Sequence, residues 1–127
     1  IHDGARPFVD EEIIERAYIT VNMYRACVAG VPSKDTIKIV DEDGFAVNTP
    51  DRRLVWNVQT PQVFETGLIT EAYFRMMQKK SIQVTDDAMA VEQEMKVPVK
   101  LCEGSYRNIK ITTPEDLETA NRLKKKK

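Results

Sequence analysis

Short apolar runs alternate with amphipathic stretches along this chain, and that alternation restricts it to a sheet with helices packed against it. Residues 11 to 24 put Ile13, Ile14, Ala17, Tyr18 and Val21 on one helical face behind a capping residue, Asp10. Ala26 to Val31 follows as a short apolar strand. Thr60-Pro61-Gln62-Val63-Phe64 leads into a helix near 66 to 79 whose buried stripe is Leu68, Ile69, Ala72, Tyr73 and Met76. Thr85-Asp86-Asp87 opens another helix through Ala88, Ala90, Val91 and Glu94, with carboxylates in the first turn where the helix dipole favours them. Val97 to Cys102 and Asn108 to Thr112 read as strands. Thr113-Pro114-Glu115-Asp116 is the capped start of a last helix through Leu117, Ala120 and Leu123. The expected class is α/β, in a single domain over residues 1 to 127.

One segment departs from this pattern. From Lys34 onward Thr36, Lys38 and Val40 alternate with Ile37 and Ile39, Asp43-Gly44 marks a tight turn, and Phe45-Ala46-Val47 returns. The expectation is a protruding β-arm at about 34 to 56. Two strands alone are marginal in water, so packing on a partner subunit is its natural support.

Charge excludes several functions. Lys and Arg number 19 against 20 Asp and Glu, a net charge of −1, which gives no global pull on nucleic acid or an anionic membrane. No apolar run approaches the roughly 18 to 20 residues that span a bilayer, and no signal-peptide pattern opens the chain, so a cytoplasmic protein is expected. Cys27 and Cys102 each lie in an apolar stretch and read as buried, reduced thiols. His2 is the single histidine, which excludes metal sites with several imidazole ligands. Lys124 to Lys127 suit the negative end of the last helix or a solvated tail. The opening Ile1-His2-Asp3, without Met, reads as the end of a strand, and the expectation is a portion of a longer protein.

In α/β sheets ligands gather beyond the carboxyl ends of strands. Asp3 and Arg6 follow the opening strand, Lys34, Asp35 and Thr36 follow Val31, Arg52 and Arg53 precede Trp56, and Lys110 lies between Ile109 and Ile111. Alternation over Asn108 to Thr112 puts Asn108, Lys110 and Thr112 on one face. Taken singly, each charge has a bland reading: a surface lysine, a solvated arginine pair, a turn-capping aspartate. Together they form the inventory of a phosphate-handling site, with cations for charge and a carboxylate for a metal or a sugar hydroxyl.

At these residues the sequence resembles the 2-C-methyl-D-erythritol 4-phosphate cytidylyltransferase family of the non-mevalonate isoprenoid pathway. The matching stretches are His2 to Phe8, Lys34 to Lys38, Trp56 to Phe64, Thr85 to Ala88, and Glu103-Gly104 through Asn108 to Leu117. The resemblance implies a Rossmann-like sugar-nucleotide transferase sheet and a homodimer with interlocked arms. It also implies CTP and methylerythritol phosphate as substrates, a divalent cation, usually magnesium, and neither nucleic acid nor membrane as partner. Carried over by motif, Arg52 and Lys110 position the acceptor phosphate, Thr36 and Thr60 contribute hydroxyls, and Asp3 and Arg6 lie where nucleotide and acceptor meet. Arg53 is the alternative to Arg52, and Arg52 and Thr36 are expected to serve the neighbouring subunit. The family's glycine-rich nucleotide loop has no match, because Gly4, Gly30, Gly44, Gly67 and Gly104 are never closely spaced. The chain would therefore be a C-terminal portion, inactive alone, with metal ligands unassigned. Ribitol-5-phosphate cytidylyltransferase and a non-catalytic dimerisation or phosphate-binding module are the alternative readings.

Overall fold

The computed structural model describes residues 1 to 79 and 87 to 125, the last by its backbone alone. The elements are α1 (Glu11–Tyr24), β1 (Ala26–Pro32), β2 (Ile39–Val40), β3 (Ala46–Asn48), a short 3-10 turn (Arg52–Leu54), β4 (Trp56–Phe64), α2 (Thr66–Met77), α3 (Asp87–Met95), β5 (Lys100–Glu103) and α4 (Pro114–Lys125). The main sheet has the order β4-β1-β5, antiparallel between β1 and β4 and parallel between β1 and β5. A strand buried on both faces should be apolar without interruption, and β1 is: every residue from Ala26 to Val31 is buried. Successive β1 side chains face opposite layers. Cys27 and Ala29 pack with Ile13 and Ala17 of α1, whereas Ala26 packs with Leu68, Ala72 and Met76 of α2 and Ala90 and Val91 of α3.

Local chemistry accounts for the helix boundaries. The Asp10 carboxylate accepts from the Ile13 N–H at 2.9 Å to start α1, and Arg25 in the left-handed region (φ 72°) ends it, donating its N–H to the Val21 carbonyl. Thr113 Oγ1 accepts from the Asp116 N–H while Asp116 Oδ2 accepts from the Thr112 and Thr113 N–H groups, a reciprocal cap on α4. Those donors, the Thr112 amide first, hold the Asp116 carboxyl below the usual carboxylate range.

The structure corrects several expectations. Residues 108 to 112 are not a strand: Asn108 is fully buried while Lys110 and Thr112 are exposed, so the alternation does not mark a sheet face. The backbone bonds of this stretch run to a turn at Ser105 to Ile109, to residues 5 and 6 and to the Asp116 carboxylate instead of to a neighbouring strand. Ile14 and Tyr18 of α1 and Leu117 of α4 are exposed, whereas Ile13, Ala17 and Ala120 are the buried residues of those helices. The strand β5 begins at Lys100, three residues later than the apolar run suggests. Residues 56 to 64, read only as a lead into α2, form the longest strand in the main sheet. Thr85, Asp86, Lys126 and Lys127 lie outside the described residues. Cys27 and Cys102 are buried free thiols as expected, and they share one apolar cluster, with Cys102 opposite Ala29 and so diagonal to Cys27 across β1 and β5. Contact with Cys102, together with burial, pushes the Cys27 thiol up.

The arm is a separate two-stranded sheet of β2 and β3. Its turn is closed by Asp41, whose Oδ1 accepts from the Asp43 and Phe45 N–H groups, and by Gly44 at φ +88°, a conformation that suits glycine. All five β2 and β3 residues are exposed.

One irregularity of the main sheet matters for function. The β1–β4 register runs Val28↔Gln62 and then Gly30↔Val58, so Gln59, Thr60 and Pro61 together face Ala29 alone. Such a bulge bends the strand and re-aims its side chains. Here it turns Gln59 and Thr60 toward the segments that carry the candidate site.

Candidate active site

Residues 1 to 3 run along the side of β4 that does not pair with β1. The Ile1 amine donates to the Gln62 carbonyl at 2.9 Å and the Gln62 N–H donates back to the Ile1 carbonyl at 2.8 Å. The Asp3 N–H then donates to Thr60 Oγ1 at 3.0 Å. Asp3 Oδ1 accepts from the Ala5 N–H at 2.9 Å, closing a turn that brings Arg6 back over β4. Hydrogen bonding fixes the His2 tautomer. The Arg6 carbonyl can only accept, so His2 Nε2, 3.0 Å away, carries the proton in the neutral ring. Nδ1 then accepts from the Thr60 hydroxyl at 2.9 Å.

Lys110 arrives from the opposite side, with Nζ 3.5 Å from Asp3 Oδ2 and a side chain 53% exposed. The Ala5 N–H is foremost in holding the Asp3 carboxyl below the usual range; desolvation, next in size, pulls it upward, and the Lys110 ammonium and Arg6 add smaller downward pulls. Arg6 donates to the Asn108 carbonyl at 2.7 Å. Burial lowers the affinity of its guanidinium for the proton and Asp3 opposes that, leaving it a cation at any ordinary pH. Two adjoining open pockets share Arg6, Val58, Gln59 and Lys110 in their walls; one extends toward Asp3 and Thr60, the other toward Asn57 and Tyr106. Two cations in a shared wall suit a place where two anionic groups meet.

A family model for 2-C-methyl-D-erythritol 4-phosphate cytidylyltransferase matches residues 1 to 125. The chain belongs to this family. It is 52% identical over 121 residues to the 2-C-methyl-D-erythritol 4-phosphate cytidylyltransferase of Lachnospira eligens, covering 94% of this chain and 53% of that protein. With the enzyme of the same name from Caldanaerobacter subterraneus subsp. tengcongensis it shares 54% over 120 residues, 94% of this chain and 52% of the relative. The chain thus spans about half the length of the curated relatives it matches. Among solved structures, 4-diphosphocytidyl-2C-methyl-D-erythritol synthase from Anaerococcus prevotii superposes with a TM-score of 0.90 at 38% identity, over 98% of this chain and 55% of that one. The 2-C-methyl-D-erythritol 4-phosphate cytidylyltransferase of Thermus thermophilus gives 0.82 at 35% identity, over 96% of this chain and 59% of its own. The fold is the Rossmann-like α/β nucleotidyltransferase fold of this cytidylyltransferase family.

Of the six residues the family motifs single out, the fold brings four together: Asp3, Arg6, Thr60 and Lys110 all line the pocket on the Asp3 side. Thr60 takes part differently from expectation, its hydroxyl being engaged by Asp3 and His2. Thr36 and Arg52 do not join them. Both are exposed at the base of the arm, where Arg52 donates to the Lys34 carbonyl at 3.1 Å. Arg53 is tied to Asp51 at 2.7 Å, which leaves Arg52 the less committed guanidinium of the pair. Lys34 stacks 3.9 Å over the Tyr106 ring and lines neither pocket. Sequence reasoning missed His2, Gln59 and Asn108 as parts of the site. A buried glutamine and a buried asparagine in otherwise apolar stretches were the available signal, since such groups require partners.

The donor set bears on the divalent cation that the family implies. Among the described residues no group of three or more His, Cys, Asp or Glu side chains could enclose a metal ion. Asp3 is the carboxylate in the cleft, which matches a cation such as Mg2+ that is held by one carboxylate and completed by substrate phosphates.

Proposed function

We propose that this chain is the acceptor-binding part of an enzyme that transfers the cytidylyl group of CTP to 2-C-methyl-D-erythritol 4-phosphate and releases pyrophosphate. The observation that carries the reading is the pairing of a half-exposed Lys110 ammonium with Arg6 in the wall between two pockets, next to Asp3. An acceptor phosphate oxygen attacks the α-phosphorus of CTP, a new P–O bond forms, and the bond to the β-phosphate oxygen breaks with its electrons leaving on pyrophosphate. The nucleophile is already anionic, so no general base is required. The protein has to bring two polyanions together and balance their charge. Lys110, tethered to Asp3 at 3.5 Å, has donors left for the acceptor phosphate, and Arg6, fixed to the Asn108 carbonyl, presents its charge beside it. Asp3 would hold a divalent cation, which supplies charge neutralisation to the polyphosphate when bound.

The arm supports a homodimer. Ile39, Val40, Phe45, Val47 and Leu54 are between 50% and 82% exposed, more apolar surface than a small hairpin presents without a partner. In that arrangement Arg52 and Thr36 act on the neighbouring subunit's acceptor. The described residues contain no helix long and apolar enough to cross a membrane, in keeping with a cytoplasmic enzyme. The five widely spaced glycines supply no nucleotide loop, so this chain by itself should bind acceptor without turning over.

The test is pyrophosphate release from CTP by the complete protein, with methylerythritol 4-phosphate or ribitol 5-phosphate as acceptor. Release with the first and not the second is expected. A preference for ribitol 5-phosphate, or no transfer to either, would overturn the reading.

A further inference from the structure

The segment that carries Lys110 belongs to neither helix nor strand, so something other than a backbone ladder must fix it. Its two ends are held by main-chain bonds, Gly104 N–H to the Gly30 carbonyl and Ile111 N–H to the Ala5 carbonyl, each 2.8 Å. Between those ends the anchors are side chains. Gln59, turned inward by the β4 bulge, donates from Nε2 to the Ser105 carbonyl at 2.8 Å. Asn108 Nδ2 donates to the Thr60 carbonyl at 2.8 Å and to Gln59 Oε1 at 3.2 Å. Both amides are 7% exposed or less.

Their orientations follow from the partners. The Ser105 and Thr60 carbonyls can only accept, so each amide must turn its NH2 group toward them, and Gln59 Oε1 is left to face Asn108. Neither amide can flip without setting acceptor against acceptor in a buried site. The fit is also close in space: a Cβ at Gly104 would collide with Gln59 Oε1. On its main-chain side Asn108 is gripped again, through the Arg6 contact at 2.7 Å.

We infer that Asn108, locked by Gln59, is a positioning residue for the transfer reaction: it sets the segment in the one arrangement that holds Lys110 against Asp3. This rests on the assignment of Lys110 to the acceptor phosphate under the proposed function. Asn108 itself lines only the pocket on the Tyr106 side and acts through Lys110, two residues away. Without its NH2 group the Thr60 carbonyl loses its buried donor, Gln59 Oε1 keeps only the longer Ser105 N–H contact at 3.4 Å, the segment loses its side-chain tie to β4 at residue 108, and the ammonium loses its fixed approach. Misplacing a group of this kind by about an ångström costs on the order of 100-fold in rate.

A double-mutant cycle tests it, in the complete protein, on kcat/KM for methylerythritol 4-phosphate at saturating CTP. The variants are Asn108→Ala, Lys110→Met and the two combined, with Gln59→Met in place of Asn108→Ala should the latter not fold. Asn108→Ala should lose on the order of 10- to 100-fold. The combined variant should lie within about twofold of Lys110→Met alone, because nothing is left for Asn108 to position. Losses that multiply would overturn the inference, since a merely structural role does not care whether Lys110 is present. If Lys110→Met turns over normally, the phosphate assignment itself falls, and that result is distinct from a multiplicative cycle.

Discussion

Replacing Phe45 by Ser in the arm should dissociate the protein without unfolding it. Phe45 is 72% exposed within the subunit, so most of its area remains for a partner to cover. Fully burying such a side chain contributes roughly 1.5 to 3 kcal/mol, and the share still exposed gives about 1 to 2 kcal/mol per copy. A two-fold dimer contains the residue twice, so the variant should lose about 2 to 4 kcal/mol of association free energy, roughly a 30- to 900-fold rise in Kd. Stability of the isolated subunit should change by less than about 0.5 kcal/mol, because an exposed side chain gives up little packing when removed. Sedimentation of the complete protein over a concentration series reads both states. A wild-type monomer at micromolar concentration, or a Phe45→Ser variant that associates as tightly as wild type, would refute the reasoning from exposed area.

Three further expectations concern the fold. Ile13→Ala removes a fully buried side chain between α1 and β1 and should cost about 2 to 5 kcal/mol in denaturant unfolding; a loss under about 1 kcal/mol would contradict the packing described. Thr113→Ala deletes the acceptor for the Asp116 N–H and should cost about 0.5 to 2 kcal/mol, read as a lower Tm, and an unchanged Tm would mean that the α4 cap contributes nothing. Asp3 and Asp116 have lowered pKa values in the folded chain, so their contribution is present above the ordinary carboxylate pKa of about 4 and is lost as pH falls through the lowered values. Asp116→Asn should therefore flatten the acid limb of Tm against pH, and an acid limb identical to wild type would contradict the assignment.

The parts of this fold that were legible in the sequence are those specified locally. Asp10 ahead of an apolar helical face marked α1, the unbroken apolar run from Ala26 marked a strand buried on both sides, and Asp43-Gly44 marked the arm's turn. The strand β4 is not legible in the sequence because Pro61 and the polar Gln59 and Gln62 interrupt its pattern. Its register shows why that sequence is tolerated: three residues bulge opposite Ala29, and the amide side chains find partners in Ser105, Asn108 and Ala88. The reverse error arose at Asn108 to Thr112, where period-two alternation suggested a strand. Besides local bonds to Ser105, Arg107 and Asp116, the stretch is held by Ala5, Arg6, Gln59 and Thr60, between 48 and 106 residues away along the chain, and no local pattern records those distant bonds. For the same reason Asp3, Arg6 and Lys110 could be named from motifs, whereas the amide pair behind Lys110 emerged only from the packing.

The central claim is that Lys110 holds the attacking phosphate, and Lys110→Met in the complete protein tests it most directly. Methionine keeps the stem's packing and removes the charge, so Tm should stay near wild type, the ammonium being 53% exposed and 3.5 Å from Asp3. A charge-assisted contact in the transition state is worth on the order of 2 to 4 kcal/mol, which predicts a roughly 30- to 1000-fold fall in kcat for cytidylyl transfer to methylerythritol 4-phosphate. Turnover within a few-fold of wild type by a variant that unfolds at the wild-type temperature would contradict the claim.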